Sequence, residues 1–435
     1  MAADREHNYD GVANTPPSTL DQVTVSAVDM DRAIDKYLAR HAEPEACLTH
    51  GICDTCYQHC LVMPAYRETL GDIEAALAAV CTHPFLLILV VNAPGDDEAT
   101  RALLHEVRSN STQHACIGPL SLHRTRQAYD VLLVDRCSVG QTIPARRGVG
   151  LARKIGADIA LFMMAQGAID PGPIYSTDAD VTLPPDYFTA AESQIGPNTA
   201  AINFPFEHIA TKDLALAAQL YEISMLYYVA GLKYARSPYA HITIGSVLAI
   251  NPVHYARVRG FPRRNAAEDF YLLNKLAKTG AIRQLASPLI RISARESDRV
   301  PFGTGPALSK ILQMTDPLSE FTLYDPRVFE SLRVLIDALK TAGEPDQFKK
   351  ILSPSLTGWA ERSGLLQQVA SHNRRIDDYL DGFRTLKLIH SLRDEYFPSV
   401  PLRELVGSKI LPISESEPQA IRQYLAHICF APEKR

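Results

Sequence analysis

"HCLVMPAYRETLGDIEAALAAVCTH", residues 59–83, contains one complete change of hydrophobic period. It opens with a short continuous apolar run, which reads as a buried strand ending at Pro64. Ile73, Leu77 and Val80, with Ala76, then recur at helical spacing, and Thr69 followed by Asp72 has the form of a capping box. Downstream the same unit returns. "PFLLILVVNAP" (84–94), "AYDVLLVDR" (128–136) and "GPIYSTDADV" (172–181) read as further strands, with "GDDEATRALLHEVRSN" (95–110) and "ARRGVGLARKIGADIA" (145–160) as the helices between them. Alternating strands and helices predict an α/β fold whose largely parallel sheet is covered on both faces.

Upstream, "VDMDRAIDKYLARH" (28–41) has helical spacing and predicts a leading helix, and residues 1–25 read as a poorly ordered tail. Downstream of about residue 305 the pattern becomes amphipathic helices, such as "PRVFESLRVLIDALKTAG" and "IDDYLDGFRTLKLIHSLRDEYF". The expected organisation is therefore 1–57, a tail and leading helix with a cysteine cluster; 58–305, the α/β domain; and 306–435, an all-helical C-terminal domain.

The 435 residues are 46% hydrophobic and 21% charged, with a net charge of −5, as in ordinary globular chains. That balance gives no electrostatic footprint for nucleic acid. The apolar run "FLLILVV" (85–91) is too short to span a bilayer, and the polar, acidic N-terminus lacks the features of a secretory leader. The expectation is a cytoplasmic protein without a transmembrane segment, peripheral membrane contact remaining open. Four of the eight cysteines crowd into "CLTHGICDTCYQHC" (47–60). Cys53 and Cys56 have the spacing of a zinc knuckle, but no second C-x-x-C follows, and incidental thiols are the preferred reading.

In open α/β sheets ligands bind beyond the carboxyl ends of the strands, and Tyr66, Asn92, Asp178 and Asp180 all lie at or just past such ends. On an extended segment Asp178 and Asp180 would point to one side, where they can share a hard cation or divide work between a cation and a ribose hydroxyl. A solvated turn is the plain alternative.

Four separated segments together resemble one family. "LVMPAYRE" (61–68) resembles the first strand of the family 2 glycosyltransferases of the GT-A fold, a Rossmann-like architecture for nucleotide-diphosphate sugars whose mixed sheet is flanked by helices. "GVGLARKIGADIAL" (148–161) resembles their ARN-x-G helix and "STDADV" their D-x-D strand end. "GSVLAINPVHYARVRGFPRRNAAEDFYL" (245–272) resembles their G-…-R-…-G-G-F stretch followed by the ED pair. The order and approximate spacing match across roughly residues 58–300. Three features depart from the pattern: Asn92 stands where an acidic residue is common, Lys154 replaces the asparagine of ARN, and the helical C-terminal region has no counterpart.

The resemblance implies a hexosyltransferase-type activity: transfer of a sugar from a nucleotide-diphosphate donor to a hydroxyl acceptor, with Mg²⁺ or Mn²⁺ and inversion. It implies that Asp178 and Asp180 hold the metal or ribose. Ala65, Tyr66, Glu68, Asn92 and Arg153 would contact the donor. Read from the residues, Gly245 and Ser246 could let the acceptor or sugar approach the backbone closely, a plain turn before a strand being the alternative, and Arg263 or Arg264 could meet phosphate or an anionic acceptor, a solvated loop being the alternative. Asp269 would be the base, oriented by Glu268. Read from the residues alone, Glu268 and Asp269 begin the helix "EDFYLLNKLAKTG", where the dipole favours their ionised form; that is sufficient as a structural reason and also suits a base. A retaining or nucleotidyl transferase on the same fold, and a non-catalytic binding protein, stay open at this stage.

Overall fold

The computed structural model describes residues 27–80, 84–295, 303–341, 344–371 and 376–431. The expected tail over 1–25 lies outside them. Two short helices, α1 (Ala27–Arg40) and α2 (Pro44–Leu48), precede the sheet. Then come β1 (His59–Ala65), α3 (Leu70–Leu77), β2 (Phe85–Asn92), α4 (Glu98–Ser109), β3 (Thr112–Ile117), β4 (Leu120–Arg124), β5 (Tyr129–Arg136) and α5 (Gly148–Ala165). The capping box of α3 forms as read, Thr69 Oγ1 accepting from the Asp72 amide and Asp72 accepting from the Thr69 amide. Next are β6 (Ile174–Ser176), β7 (Val181–Thr182), α6 (Tyr187–Glu192), β8 (Thr199–Asn203), β9 (Phe206–Ile209), α7 (Ala215–Tyr234), β10 (Leu248–Ile250), α8 (Pro252–Arg257), α9 (Glu268–Leu276), β11 (Ala281–Gln284) and β12 (Ile290–Ser293).

A nine-stranded sheet has the order β11-β8-β10-β6-β1-β2-β5-β4-β3. Its centre, β6-β1-β2-β5, is parallel, as the strand–helix alternation predicts. Its flanks are not: β10 runs antiparallel to β6 and β8, and β4 runs antiparallel to β5 and β3. The sheet is therefore mixed and flanked by helices, as expected of the fold class, and the largely parallel pattern read from the strand–helix alternation holds only at its centre. The β3–β4 hairpin escapes sequence reading because β3, at the sheet's edge, is almost wholly exposed and carries no apolar alternation.

Period two divides the core. Leu61 and Met63 of β1, and Phe85, Leu87 and Leu89 of β2, face one apolar cluster, whereas Cys60, Val62, Leu86, Ile88 and Val90 face the other. Helix α5 lies on the second face so closely that a Cβ on Gly156 would come within 2.4 Å of Val62.

A second, three-stranded sheet, β7-β12-β9, sits beside the first. It corrects the expected fourth strand. The strand over 172–181 is broken: β6 ends at Ser176, residues 177–178 are irregular, 179–180 make a turn, and β7 joins the other sheet. The two aspartates lie in that connection, outside any strand.

Among the described residues from 304 to 430 the regular elements are helices apart from one ribbon. Helices α10 (Thr304–Leu312), α11 (Pro317–Glu320), α12 (Pro326–Thr341), α13 (Pro345–Ile351), α14 (Pro354–Arg362), α15 (Leu365–Ala370), α16 (Ile376–Tyr379) and α17 (Gly382–Glu395) are followed by α18 (Leu402–Leu405) and α19 (Pro418–Phe430). A two-stranded pair, β13 (Thr322–Leu323) with β14 (Val400–Pro401), departs from an all-helical composition. Leu388 and Leu425 belong to the same apolar cluster as β1 and β2, so the core runs without a break from sheet to C-terminal helices. Among the described residues no helix is long and apolar enough to cross a membrane.

Candidate functional site

The chain passes outward from β1 through β2 to β5 and then returns to place β6 on the other side of β1. That reversal leaves a crevice at the carboxyl ends of β1 and β6, the location where open α/β sheets hold ligands. A cleft of about 940 Å³ opens there, lined by segments following β1, β2 and β6, by the start of α9 and by α17. Tyr66, Glu68, Asn92, Arg153, Asp178, Asp180, Gly245, Ser246, Glu268 and Asp269 all reach its walls.

Arg153 ties the floor together. It is buried on α5 and donates from Nε to Glu268 Oε1 at 2.9 Å and from Nη2 to Asp178 Oδ1 at 2.6 Å. Nη1 donates to Ser176 Oγ at 2.9 Å. One guanidinium thus joins the connection after β6 to the start of α9, segments 90 residues apart in sequence (178 to 268). Despite burial, the carboxylates hold Arg153 firmly in its charged form, with a pKa above the ordinary arginine value. Gly245 makes room for it: a Cβ there would come within 2.7 Å of Nη2. What approaches this glycine so closely is Arg153, not a ligand. Thr177 Oγ1 donates to the Ser246 carbonyl and Ser176 Oγ to that of Gly245, which fixes 245–246 against the connection that carries the aspartates.

Asp269 adjoins this network, with Ala267 before the helix held at φ 58°. The Asp269 carboxyl keeps some surface on the cleft but sits among protein atoms. Loss of solvation, followed by repulsion from Glu268, pushes its pKa up to about 7, against the pull of the Phe270 amide, which donates at 2.7 Å, and of Arg153. The helix start alone predicted a firmly ionised carboxylate. Burial and the adjacent Glu268 outweigh the dipole and leave a carboxyl that exchanges its proton near neutrality.

On the opposite side Arg295, just past β12, pairs with Glu68 and lies 3.3 Å from Asp180. Arg67 is held by Asp97 at 2.7 Å. The Asn92 side chain is buried, 6% exposed, and its Oδ1 has no hydrogen-bond partner among the described residues. An unmade hydrogen bond at a buried amide is costly, so this group suits a ligand that completes it.

The described cleft residues bring five carboxylates, Glu68, Asp178, Asp180, Glu268 and Asp269, against three arginines, Arg67, Arg153 and Arg295. The excess of negative charge would repel a diphosphate and favours a divalent cation. Among the described residues no group of three His, Cys, Asp or Glu side chains is arranged as a ready-made metal cage. Mg²⁺ would not need such a cage, because it commonly binds through one or two carboxylates, water and substrate phosphates, and here Asp178 and Asp180, paired with Arg153 and Arg295, would be the carboxylates to hold it. The cysteines fit zinc poorly: among the described residues Cys53 and Cys56 have no third ligand, Cys56 Sγ lies 3.3 Å from Asp170 Oδ1, and Cys60 is buried in β1 with its thiol pushed up to about 12.

Two expected contacts lie elsewhere. Ala65 points into the apolar core, and Arg263 reaches away from the cleft to Glu43 at 2.6 Å. Lys154 is equally remote from it. It is buried against Asp158 at 2.9 Å, and Asp158 also accepts from Tyr37 and Tyr255, which secures α1 and α8 to α5.

Sequence reading missed Arg295, His208 and the C-terminal wall made by Phe383 and Leu386. The apolar–polar alternation of "IRIS" in β12 was the available signal for Arg295, since it marks a strand whose end must lie nearby. No family model and no curated protein matches the chain.

Proposed function

We propose that the chain is a metal-dependent glycosyltransferase with a GT-A-type core, moving a sugar from a nucleotide-diphosphate sugar to a hydroxyl acceptor with inversion. One observation carries this reading. Arg153 holds the D-x-D carboxylate Asp178 and the helix-start carboxylate Glu268 on one cleft floor, and the next residue, Asp269, has a pKa near 7.

Asp178 and Asp180 would hold Mg²⁺ or Mn²⁺, which when bound supplies Lewis-acid stabilisation to the diphosphate. Asn92 offers an amide to the edge of the base. Asp269 removes the proton of the acceptor hydroxyl as its oxygen bonds to the anomeric carbon. The bond from that carbon to the diphosphate oxygen breaks with its electron pair leaving on the nucleoside diphosphate. Glu268, fixed by Arg153, keeps the start of α9 and therefore Asp269 in place. A base is most effective when its pKa lies near the working pH, which describes Asp269.

Release of nucleoside diphosphate from a panel of UDP- and GDP-sugars with Mn²⁺ tests the reading. Turnover should fall by about 10²–10⁴ in Asp269→Asn, the usual contribution of a general base. Equal turnover in the variant would remove Asp269 from the chemistry.

A further inference from the structure

The cleft has two chemically different sides. The strand-end side is charged. Beyond the carboxylates at the start of α9, the lining from α7, α9 and α17 is aromatic and apolar, with Met225, Phe270, Tyr271, Phe383 and Leu386. The Tyr271 and Phe383 rings lie 6.0 Å apart, and Phe383 is 36% exposed, a large apolar side chain left partly uncovered in the cleft wall. A second, smaller chamber of about 90 Å³ shares Met225, Thr243, Ile244 and Phe270 with the main cleft as walls. Tyr228, Val229 and Leu232 line it but not the cleft. His241 also lines it, neutral at pH 7 because burial lowers its pKa to about 4. The chamber is structurally fixed: Asn274 Oδ1 accepts from the Gly382 amide at 2.8 Å, and Asp381 takes Lys278, so α9 and α17 are joined beside it.

We propose that the hydroxyl acceptor is an amphiphile, its hydroxyl at Asp269 and its hydrocarbon segment along Phe270, Phe383 and Leu386, with the chain end in the 90 Å³ chamber. This rests on the glycosyl-transfer reading for the identity of the hydroxyl group. Three features favour hydrocarbon over a second sugar. Phe270 follows the base directly, so the apolar surface begins where the acceptor oxygen must lie. The chamber surface is mostly apolar although Tyr228, Tyr239, His241, Thr243 and Asn274 are among its walls, and Asn274 is already bonded to Asp381 and Gly382, so few groups remain to satisfy sugar hydroxyls, whose burial without partners is costly. The chamber is also smaller than the ~150 Å³ apolar cavity that admits benzene, a size that suits the end of an alkyl chain rather than a ring.

The test is binding of n-alkanols from butanol to decanol, read by ligand-observed NMR, to wild type, Phe383→Ser and Met225→Phe. In wild type each added methylene should tighten binding by about fourfold until the chamber is filled, and longer chains should gain little. Met225→Phe narrows the chamber and should stop the gain at shorter chains. Phe383→Ser, at an exposed position, should weaken every alkanol about tenfold. Affinity that does not depend on chain length, the same dependence in all three proteins, or binding of free monosaccharides in preference to alkanols would overturn the proposal. If Met225→Phe does not fold, Phe383→Ser and the wild-type series still decide it. Nucleotide titration of wild type alongside reads the glycosyl-transfer proposal separately: absent nucleotide binding with intact alkanol binding would refute that reading and leave an apolar ligand site.

Discussion

Asp269 and Gly245 carry opposite kinds of constraint. The folded protein holds the Asp269 proton more tightly than an unfolded chain, in which a carboxyl titrates at about 3.9. Folding stability is therefore lost as pH rises from about 4 to about 7, and the penalty is complete above 7. Asp269→Asn keeps the contact with the Phe270 amide and removes the charge. It should raise stability at pH 8 by a few kcal/mol while reducing turnover, measured by urea unfolding at pH 5 and pH 8; no gain at pH 8 would contradict the raised pKa. For the same reason kcat/KM should rise about tenfold per pH unit up to about pH 7 and then level, whereas a flat profile from pH 5 to 8 would assign the proton to another group. Gly245 has no charge but protects one. Gly245→Ala should displace Arg153 from Asp178 and Glu268, at a cost of about 1–3 kcal/mol in stability and with weaker nucleotide binding. Thermal unfolding and calorimetry would measure both, and an unchanged protein would show that Arg153 is free to shift.

At the scale of elements, the parts that read correctly are those with a sustained period. β1, α3, β2, α4, β5 and α5 each offer a run long enough for period two, burial on both faces or period 3.6 to be distinct, and their order sets the parallel centre of the sheet. The parts that did not read are short and paired at a distance. β7 has two residues, and its partner β12 lies more than 100 positions further on, so no local pattern reveals that the strand after β6 leaves the main sheet. That break decides the site. It turns Asp178 towards Arg153 and Asp180 towards Arg295, which an unbroken strand would not do. Of the expected contacts, those beyond strand ends reach the cleft. Arg263 does not, because its loop runs past the start of α5 and Glu43 takes its charge. The same loop packs against Gly150, where a Cβ would lie 2.4 Å from the Arg264 carbonyl oxygen.

For the whole molecule, the C-terminal helices complete the cleft and share the core. α19 packs along α7, and its Arg422 pairs with buried Glu222, whose other oxygen accepts from His208 Nδ1 at 2.9 Å. His208 in turn lines the cleft. Arg422→Met should cost about 3 kcal/mol, as removal of one partner of a buried pair does, and a loss below about 1 kcal/mol in denaturant unfolding would show the pair to be dispensable. Deleting residues from 304 onward would bare the apolar cluster that begins at β1 and should give an insoluble product rather than a working α/β core.

The most direct measurement is calorimetric titration of UDP and GDP, each with and without Mn²⁺, into wild type and Asp180→Ala. The account predicts binding of one nucleotide that depends on Mn²⁺ and is lost in the variant. No nucleotide binding, or binding indifferent to both the metal and Asp180, would contradict it.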